Sequence, residues 1–398
     1  MHFLRSTPSR SIGTTFTIAA AATLVAVSSA CSDDAPATSG PPVVTAPDTS
    51  APELERAVFM TGLSNPWDLA FLPNGDLLIT ERAGRVRVRR ANGTVQQVAQ
   101  ISDVVASGEG GLLGLTIDPS FATNRFVYTC FSSNRGGSND NRIVRWRLSD
   151  DGTALESRTD IVTGLPWANG GRHSGCRPRF GPDGLLYVAT GDAAVGDNPQ
   201  RLTSLGGKTL RVTRDGDAAP GNPTITVGGV TADRRIFTYG HRNVQGLTFR
   251  PSDGAVFSLE HGPSYDDELT RLTAGGNGGW NPVPGYNESV SMTDLARYPD
   301  AMRPTWRSGA PARGSSGTTF ITGANWRGWN GAIAMAQLIG AKLVVLTLNV
   351  DGSIKTETNL FVDERTRLRV PVMGPDGALY IATDVGGGGG AIWRITTR

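Results

Sequence analysis

The sequence predicts an all-β protein, and within that class a six-bladed β-propeller. The chain of 398 residues contains 51 glycines and 24 prolines but few helical heptads, a composition typical of short strands joined by many turns. A turn built from Pro, Asp, Asn or Gly, followed by a β-rich run, recurs six times. Repeats on this scale predict blades of about four strands around a central channel.

The six turn-and-strand phrases lie about 45 to 80 residues apart, the spacing of propeller blades with insertions. They occupy residues 72–80, 118–129, 181–190, 250–258, 329–335 and 374–383. Runs of alternating polar and apolar residues often follow them, as in half-buried antiparallel strands. Because no linker separates the phrases, we expect one closed domain over residues 56–398. The alternative is a pair of β-sandwiches with coincidental turns.

Residues 1–30 have the pattern of a signal peptide. Arg5 and Arg10 precede an apolar run at 18–27, which is too short for a comfortable membrane span. Small residues stand before Cys31, as in a bacterial lipobox, although Ser28 occupies the usual leucine position. We expect an exported protein at the cell surface or in the periplasm, anchored through a lipid on Cys31. The alternative is simple secretion with Cys31 unmodified.

Residues 31–55 are rich in Pro, Ala, Ser and Thr and predict a flexible, disordered tether. Without the two signal-peptide arginines, 36 basic residues (38 − 2) balance 36 acidic residues. This balance excludes the strongly basic surface that nucleic acids require. Apart from the lipid anchor, we therefore expect no membrane contact and no nucleic-acid partner.

Cys130 and Cys176 form an even pair in an exported domain, which predicts a disulfide. The alternative is two buried free thiols. Neither a CxxC motif nor a close histidine partner is present, so we expect no zinc site.

His173 stands in a glycine-flanked loop that leads into the strand predicted at 185–190. Functional side chains concentrate on loops that a rigid sheet supports, and an imidazole suits a base near neutral pH. The segment 275–304 is too long and irregular for a hairpin, and loops of this length in compact domains are often functional. We therefore expect both segments to contribute to a site.

Two further patterns predict ligand binding. Arg367 and Arg369 share one face of an extended strand, where two guanidiniums suit an anionic, planar, carboxylate-bearing ligand; the alternative is a solvated arginine edge. The acidic run 266–268 beside the Gly-Pro pair at 262–263 suits calcium; the alternative is a charged surface turn.

Six motifs in a fixed order carry a resemblance to a known family. They are HSGCR at 173–177, FGPDG at 180–184, YGHRNVQGL at 239–247, EHGPSYDDEL at 260–269, GGNGGW at 275–280 and RLR at 367–369. Together they resemble the soluble pyrroloquinoline quinone (PQQ)-dependent sugar dehydrogenases, the glucose/sorbosone dehydrogenase family with its aldose sugar dehydrogenase branch. The resemblance runs from about residue 63 to 393 and implies a six-bladed propeller.

The resemblance implies a role for each matched residue. His173 is similar to the family's general base, which takes the proton of the anomeric hydroxyl while hydride passes to the quinone. Arg242 and Asn243 match the pair beside the reactive carbonyl, where a cation stabilises developing charge. Arg367 and Arg369 match the arginines that hold the carboxylates of PQQ.

The resemblance also implies calcium. Gly262 and Pro263 match the backbone carbonyls that ligate cofactor-bound calcium, and Glu268 with the backbone of Gly278 resembles a structural calcium site of the aldose branch. Glu109 occupies a cofactor-binding position where the family often has Gln, so it adds a negative charge beside an anionic cofactor.

Several positions depart from the family pattern. Ile339 stands where the family has a cofactor-contacting lysine, and Lys342 needs a register shift to replace it. Arg172 adjoins His173, where a nearby cation is expected to lower the pKa of the imidazole. For His241 and His261 we expect hydrogen-bonded structural roles.

The expected function is PQQ-dependent oxidation of an aldose sugar to its lactone, with electrons passed to an external acceptor because no CxxCH haem motif is present. A second hypothesis is a catalytically lapsed, calcium-stabilised propeller that binds a carbohydrate or a partner at the cell surface. A third is a metal-dependent lactonase. That chemistry needs carboxylates and amides around a central metal, whereas most matched positions carry arginine.

Overall fold

Residues 49–398 are described by the computed structural model, and they fold into six four-stranded antiparallel sheets. Blade one consists of β2 (Pro66–Phe71), β3 (Leu77–Glu81), β4 (Arg85–Arg89) and β5 (Val95–Gln100). Blade two consists of β6 (Leu112–Ile117), β7 (Phe126–Ser133), β8 (Asp140–Leu148) and β9 (Leu155–Leu165). Blade three consists of β10 (Gly175–Phe180), β11 (Leu186–Thr190), β12 (Lys208–Val212) and β15 (Ile236–Tyr239).

The second half of the ring repeats this arrangement. Blade four consists of β16 (Val244–Phe249), β17 (Val256–Glu260), β18 (Glu268–Arg271) and β19 (Trp306–Arg307). Blade five consists of β20 (Ser315–Phe320), β21 (Ile333–Gln337), β22 (Lys342–Leu348) and β23 (Ile354–Leu360). Blade six consists of β24 (Leu368–Met373), β25 (Leu379–Thr383), β26 (Gly390–Thr397) and the first strand, β1 (Leu54–Leu63).

The remaining elements are short. A hairpin of β13 (Thr226–Val227) and β14 (Val230–Thr231) projects from blade three, and α1 spans Phe121–Asn124. Two 3-10 helices span Ala324–Trp329 and Val362–Glu364. Among residues 49–398 no helix is long and apolar enough to cross a lipid bilayer.

The predicted six-bladed propeller is confirmed. Each of the six sequence phrases supplies the turn between the first and second strands of one blade. The first strands of neighbouring blades contact one another all the way round, from β2 through β6, β10, β16 and β20 to β24 and back to β2. The phrase count therefore equals the blade count.

Strand β1 closes the ring from the opposite end of the chain. It pairs antiparallel with β26, so that Leu54 lies opposite Thr397 and Leu63 opposite Gly390. This pairing leaves β26 without a free edge. Because β1 begins at Leu54, the last two residues of the predicted tether lie in a strand. The predicted signal peptide, Cys31 and the tether up to residue 48 lie outside the described residues.

The hydrophobic core is distributed between the blades. Six separate clusters of buried side chains each fill the space between two adjacent blades, which accounts for every neighbouring pair in the ring. The second strands β3, β11, β17, β21 and β25 are buried along their whole length. Between blades two and three, a disulfide joins Cys130 to Cys176 with a Cα–Cα distance of 5.4 Å.

Candidate active site

A cavity of about 390 Å³ lies at the end of the propeller where the second strands finish. Its walls come from blades one, four, five and six and from the loop that precedes β6. Four sequence-predicted residues line it: Glu109, Asn243, Arg367 and Arg369. Inner-strand and loop side chains thus converge on one site from distant parts of the chain.

His173 lies beside this cavity and is 2% exposed. Its backbone has a φ of +54°, a left-handed conformation that is uncommon for residues other than glycine. The backbone N–H of His173 donates to Glu109 Oε2 at 3.1 Å, and Asn243 Nδ2 donates to the same oxygen at 3.3 Å. Glu109 therefore joins the histidine loop to Asn243 at the cavity wall.

A buried carboxylate, that of Asp192, orients the imidazole of His173. The distance from Asp192 Oδ1 to His173 Nδ1 is 2.8 Å. The carboxylate also accepts from Trp280 Nε1 at 2.9 Å, from the Tyr286 hydroxyl at 2.7 Å and from the Ala194 backbone at 2.8 Å. With Nδ1 donating to Asp192, a neutral imidazole carries its lone pair on Nε2.

The Tyr286 hydroxyl also lies 2.9 Å from His173 Nδ1. Burial, together with the nearby charge of Asp192, raises the pKa of Tyr286 far above its usual range. The hydroxyl therefore stays protonated and serves as a donor to the Asp192 carboxylate. Trp280 and Tyr286 both belong to the predicted functional loop at 275–304.

Arg242 is buried between two partners. One terminal nitrogen donates to the His261 carbonyl at 2.6 Å, and the other is paired with Glu288. Among the described residues its buried Nε has no hydrogen-bond partner. Glu288 also binds Arg172 at 2.6 Å. Burial raises the pKa of Glu288, but the hydrogen bonds from Arg242 and Arg172 outweigh it and hold that pKa below its usual range.

Arg367 and Arg369 converge on one carboxylate, Asp384. Arg369 Nη2 lies 2.8 Å and Arg367 Nη2 3.2 Å from Asp384 Oδ2. Arg369 also donates to Gln245 Oε1 at 3.0 Å, yet its buried Nε is unpartnered within the described part of the chain. Burial opposes ionisation of Asp384, but the two arginines and Asn65 hold its pKa below the usual value.

The predicted calcium ligands Gly262 and Pro263 form a tight turn at the base of blade four. A Cβ at Gly262 would lie 2.2 Å from the Tyr265 carbonyl oxygen, so only glycine fits. The side chain of Asp267 stabilises the turn by accepting from the Gly262 N–H at 2.9 Å. Neither the Gly262 nor the Pro263 carbonyl accepts a hydrogen bond from the described residues.

Glu268 and Gly278 lie behind the cavity wall and do not line the cavity. Glu268 is buried, accepts from Thr293 Oγ1 at 2.6 Å and lies 3.1 Å from Arg307. Arg307 Nε is paired with Oε1, which makes no hydrogen bond of good geometry among residues 49–398. Burial raises the pKa of Glu268 to about 8. In the described range, no cluster of three or more His, Cys, Asp or Glu side chains is arranged to hold a metal.

The positions that depart from the family pattern have distinct surroundings. Ile339 lines the cavity and is 62% exposed, whereas Lys342 is not part of its wall. The guanidinium of Arg172 points to Glu288 and lies 5.3 Å from the centre of the Tyr286 ring. Glu288 therefore neutralises the charge of Arg172, the residue that precedes His173 in the sequence.

The two remaining histidines differ from each other. His241 is fully buried and hydrogen-bonded to Glu260 at 2.6 Å and Thr238 at 2.8 Å, in the structural role expected from the sequence. His261 instead lines the cavity. Burial lowers the pKa of His261 below its usual range.

Sequence reasoning missed Asp192 and Asp384, the carboxylates that orient the histidine and the arginine pair. Both follow the second strand of a blade within two residues, and Glu81 and Glu260 end the second strands of two other blades. All four are buried. An acid at the end of the second strand in four of six repeats was the signal that could have revealed them.

The fold and the site define a class: a six-bladed propeller with a polar, arginine-lined active centre and an adjacent histidine–aspartate pair. The family model described as glucose / sorbosone dehydrogenase matches residues 63–394. The chain belongs to that family, which confirms the resemblance found in the sequence and makes the protein a sugar dehydrogenase, an oxidoreductase. This membership does not favour a lapsed binding module.

Three comparisons illustrate the relationship. The chain is 30% identical over 340 residues to the aldose sugar dehydrogenase YliI of Escherichia coli, covering 83% of this chain and 90% of that protein. A solved glucose dehydrogenase is 34% identical, with a TM-score of 0.79, over 86% of this chain and 99% of the other. The PQQ-bound aldose sugar dehydrogenase of Streptomyces coelicolor is 30% identical, with a TM-score of 0.71, over 89% and 100%.

Proposed function

We propose that the protein oxidises an aldose sugar to its lactone with bound PQQ, and that His173 is the general base. The observation that carries the proposal is the pairing of His173 with Asp192 beside a cavity lined by Arg367 and Arg369. When bound, PQQ, an anionic and planar quinone, would supply the acceptor for a hydride from the sugar carbon, and its electrons would pass to an external acceptor.

The chain's residues fit such a cofactor. Arg369 and Arg242 each keep a buried Nε without a partner in the described residues, and buried donors of this kind are costly unless a ligand pairs with them. Arg367 and Arg369 form a two-pronged carboxylate site. Arg242 and Asn243, adjacent in the chain, would bind on the side of the cavity nearest His173.

His173 has the geometry of a base. Asp192 accepts the Nδ1 proton and leaves Nε2 free to take the proton of a sugar hydroxyl. The buried side chains of Asp192 and Trp280, with the half-buried Tyr286, limit the access of water to the ring and fix its orientation. A base held in this way contributes by position as well as by basicity.

Calcium is the second proposed cofactor. The carbonyls of Gly262 and Pro263, which accept no hydrogen bond from residues 49–398, offer hard oxygen ligands next to the cavity, and this suits an ion that also binds the cofactor. At a separate structural site, Glu268 Oε1, which lies 3.1 Å from Arg307 Nε, and the backbone of Gly278 would ligate a second calcium. Calcium would favour the ionised form of the Glu268 carboxyl, whose pKa burial raises to about 8.

The test is titration of the purified full-length chain with PQQ, with and without calcium, paired with a dye-reduction assay on a panel of aldoses. We expect calcium-dependent binding and sugar-driven dye reduction. The variant His173→Ala should bind PQQ with nearly unchanged affinity but lose turnover by about 100-fold or more.

Two outcomes would contradict the proposal. A folded, calcium-stabilised protein that binds no PQQ would remove the cofactor assignment. Full turnover in His173→Ala would remove the base assignment alone, because binding and chemistry are measured separately. His241→Ala is a poor control because it disturbs the fold, whereas the exposed Asp197→Asn leaves the site intact.

Export and lipid anchoring at Cys31 complete the proposal and rest on the sequence of residues 1–31 alone. Radiolabelled palmitate should enter the wild-type chain in a bacterial host and should be absent from Cys31→Ser. An unlabelled wild-type chain in the culture medium would instead support simple secretion.

A further inference from the structure

Arg82 is a cavity-lining cation whose side chain has no partner in the described part of the chain. It directly follows β3 and lines the same cavity as Arg367 and Arg369. Its guanidinium forms no hydrogen bond or ion pair within residues 49–398. Burial, joined by the charges of Arg367 and Arg82, lowers the pKa of Arg369, so Arg82 stands close enough to act on the arginine pair.

The charge balance around the cavity depends on this residue. Three cations, Arg242, Arg367 and Arg369, face three carboxylates. These are Glu288, Asp384 and Glu109, the last of which accepts only neutral donors. Arg172 shares Glu288 with Arg242, so cations outnumber carboxylates around the cavity, and Arg82 is the one of these cations that pairs with no carboxylate of residues 49–398. An anionic ligand is attracted by this excess of positive charge, and Arg82 can pair with it without giving up an existing ion pair.

The backbone of Arg82 is held firmly at this position. Its N–H donates to the Asn65 carbonyl at 3.1 Å, and its carbonyl accepts from Leu112 at 2.8 Å. A Cβ at Gly111 would lie 2.7 Å from Arg82 Cγ, so the stem of the side chain packs against a glycine. Asn65 in turn donates to Asp384, which links Arg82 to the carboxylate shared by the arginine pair.

We infer that Arg82 is a further cofactor-binding residue, whose guanidinium pairs with a carboxylate of the bound quinone. The inference rests on the proposed function and extends it to a residue on blade one. An arginine with a free fork in a half-buried cavity is suited to bidentate carboxylate binding. The guanidinium of Arg82 does not have to leave an existing ion pair within residues 49–398 before it binds a carboxylate.

Arg82 also compensates for the cation absent at Ile339. Ile339 lies on blade five and Arg82 on blade one, so the two positions flank blade six and its arginine pair. The cavity therefore has the same number of cations as it would with a lysine at position 339. The difference is that Arg82 approaches from blade one, whereas a lysine at 339 would approach from blade five. A lysine at 339 should therefore substitute in part for a missing Arg82.

The experiment measures the dissociation constant of PQQ in saturating calcium for the full chain and its variants, by titration calorimetry. The variants are Arg82→Gln, Arg82→Lys and Arg82→Gln combined with Ile339→Lys. Arg271→Gln is the matched control, since Arg271 is exposed on blade four and its nearest carboxylate is 4.0 Å away at Asp253. Each variant's melting temperature is recorded without cofactor.

We expect Arg82→Gln to raise the dissociation constant about 10- to 100-fold, the effect of losing one charge-assisted hydrogen-bond pair. Arg82→Lys should lose less, because the charge remains while the planar fork is lost. Ile339→Lys should recover part of the affinity. Without cofactor, the melting temperature of Arg82→Gln should match that of the wild type, because the side chain has no partner to lose.

The outcomes separate the inference from the proposed function. If the wild type binds PQQ and Arg82→Gln binds equally well, the inference is wrong and the proposed function stands. An equal loss of PQQ affinity in Arg271→Gln would show that removing any positive charge weakens binding, and this result would also contradict the inference. If the wild type binds no PQQ, both fail together.

Discussion

At the scale of single residues, the chemistry of this protein depends on pairs in which one member fixes the other. Asp192 holds the imidazole of His173, and Asp384 holds Arg367 and Arg369. In each pair the sequence revealed the group proposed to contact the ligand and missed the carboxylate that orients it. A side chain that acts through another leaves a weaker trace in a sequence than one within a recognisable motif.

The role of Asp192 predicts a specific kinetic defect. An asparagine at this position can donate to Nδ1, which moves the imidazole proton to Nε2 and removes the basic lone pair. We expect Asp192→Asn to lower kcat by about 100- to 10,000-fold with little change in PQQ affinity. Steady-state kinetics and calorimetry measure the two effects separately.

The control for this variant is Asp197→Asn, an exposed aspartate paired with Arg201 near the same loop. It should retain wild-type turnover. Equal losses in the two variants would show that any loss of negative charge in this loop is harmful, and would contradict an orienting role for Asp192.

At the scale of elements, the loop from residue 191 to 207 carries Asp192 and is anchored by Lys208 at the start of β12. Lys208 is fully buried, and its amine donates to the carbonyls of Asn198, Pro199 and Gly206 at 2.6, 3.0 and 2.7 Å. One side chain thus satisfies three carbonyls of an irregular segment, which a buried loop needs.

Lys208→Met should destabilise the protein by about 2 kcal/mol or more, because three buried carbonyls lose their donor.

Burial lowers the pKa of Lys208 to about 7 from an ordinary value of 10.5. Between these values the unfolded chain binds more protons than the folded one, so this group makes stability rise with pH. Denaturant unfolding from pH 7 to 10 should show the rise in the wild type only. If the stability of Lys208→Met rose with pH by the same slope, Lys208 would not be the cause of the rise.

The elements around Glu268 predict a metal effect. Burial opposes ionisation of the Glu268 carboxyl, and calcium would relieve this cost together with Arg307, which lies 3.1 Å from Oε1. Removing calcium should lower stability by about 2.7 kcal/mol relative to a concentration 100 times the dissociation constant. In Glu268→Gln this calcium-dependent difference should shrink sharply, as thermal unfolding would show. An undiminished calcium effect in the variant would place the stabilising ion elsewhere.

At the scale of the whole molecule, the propeller joins distant parts of the chain in two ways. Strand β1 pairs with β26 and closes the ring, and the disulfide between Cys130 and Cys176 fastens blade two to blade three. Cys176 follows His173 by three residues, so the disulfide also anchors the strained loop that carries the proposed base.

The disulfide closes a segment with a sequence separation of 46, for which chain entropy predicts a stabilisation of about 4 kcal/mol. The double variant Cys130→Ala with Cys176→Ala should melt at a lower temperature. It should also lose more turnover than PQQ affinity, because the histidine loop is released while the arginine pair is not. Unchanged kinetics in this variant would separate the disulfide from the active site.

The blade number can be predicted from the amino-acid sequence alone, because each blade requires one tight turn between its first two strands and such turns favour Pro, Asp, Asn or Gly. The sequence also revealed the family through motifs that hold backbone and side chains in fixed local geometry, from the His173 loop to Arg367 and Arg369. These features depend on short-range order, which neighbouring residues encode directly.

Which side chains come into contact depends on the three-dimensional fold. Arg82 and Asp384 lie about 300 residues apart in the chain, yet Asn65 connects them within one cavity. The neutralisation of Arg172 by Glu288 and the orientation of His173 by Asp192 likewise depend on how blades and loops pack around the axis. Contacts between distant residues arise from the closure of the ring, and no local pattern in the sequence carries that information.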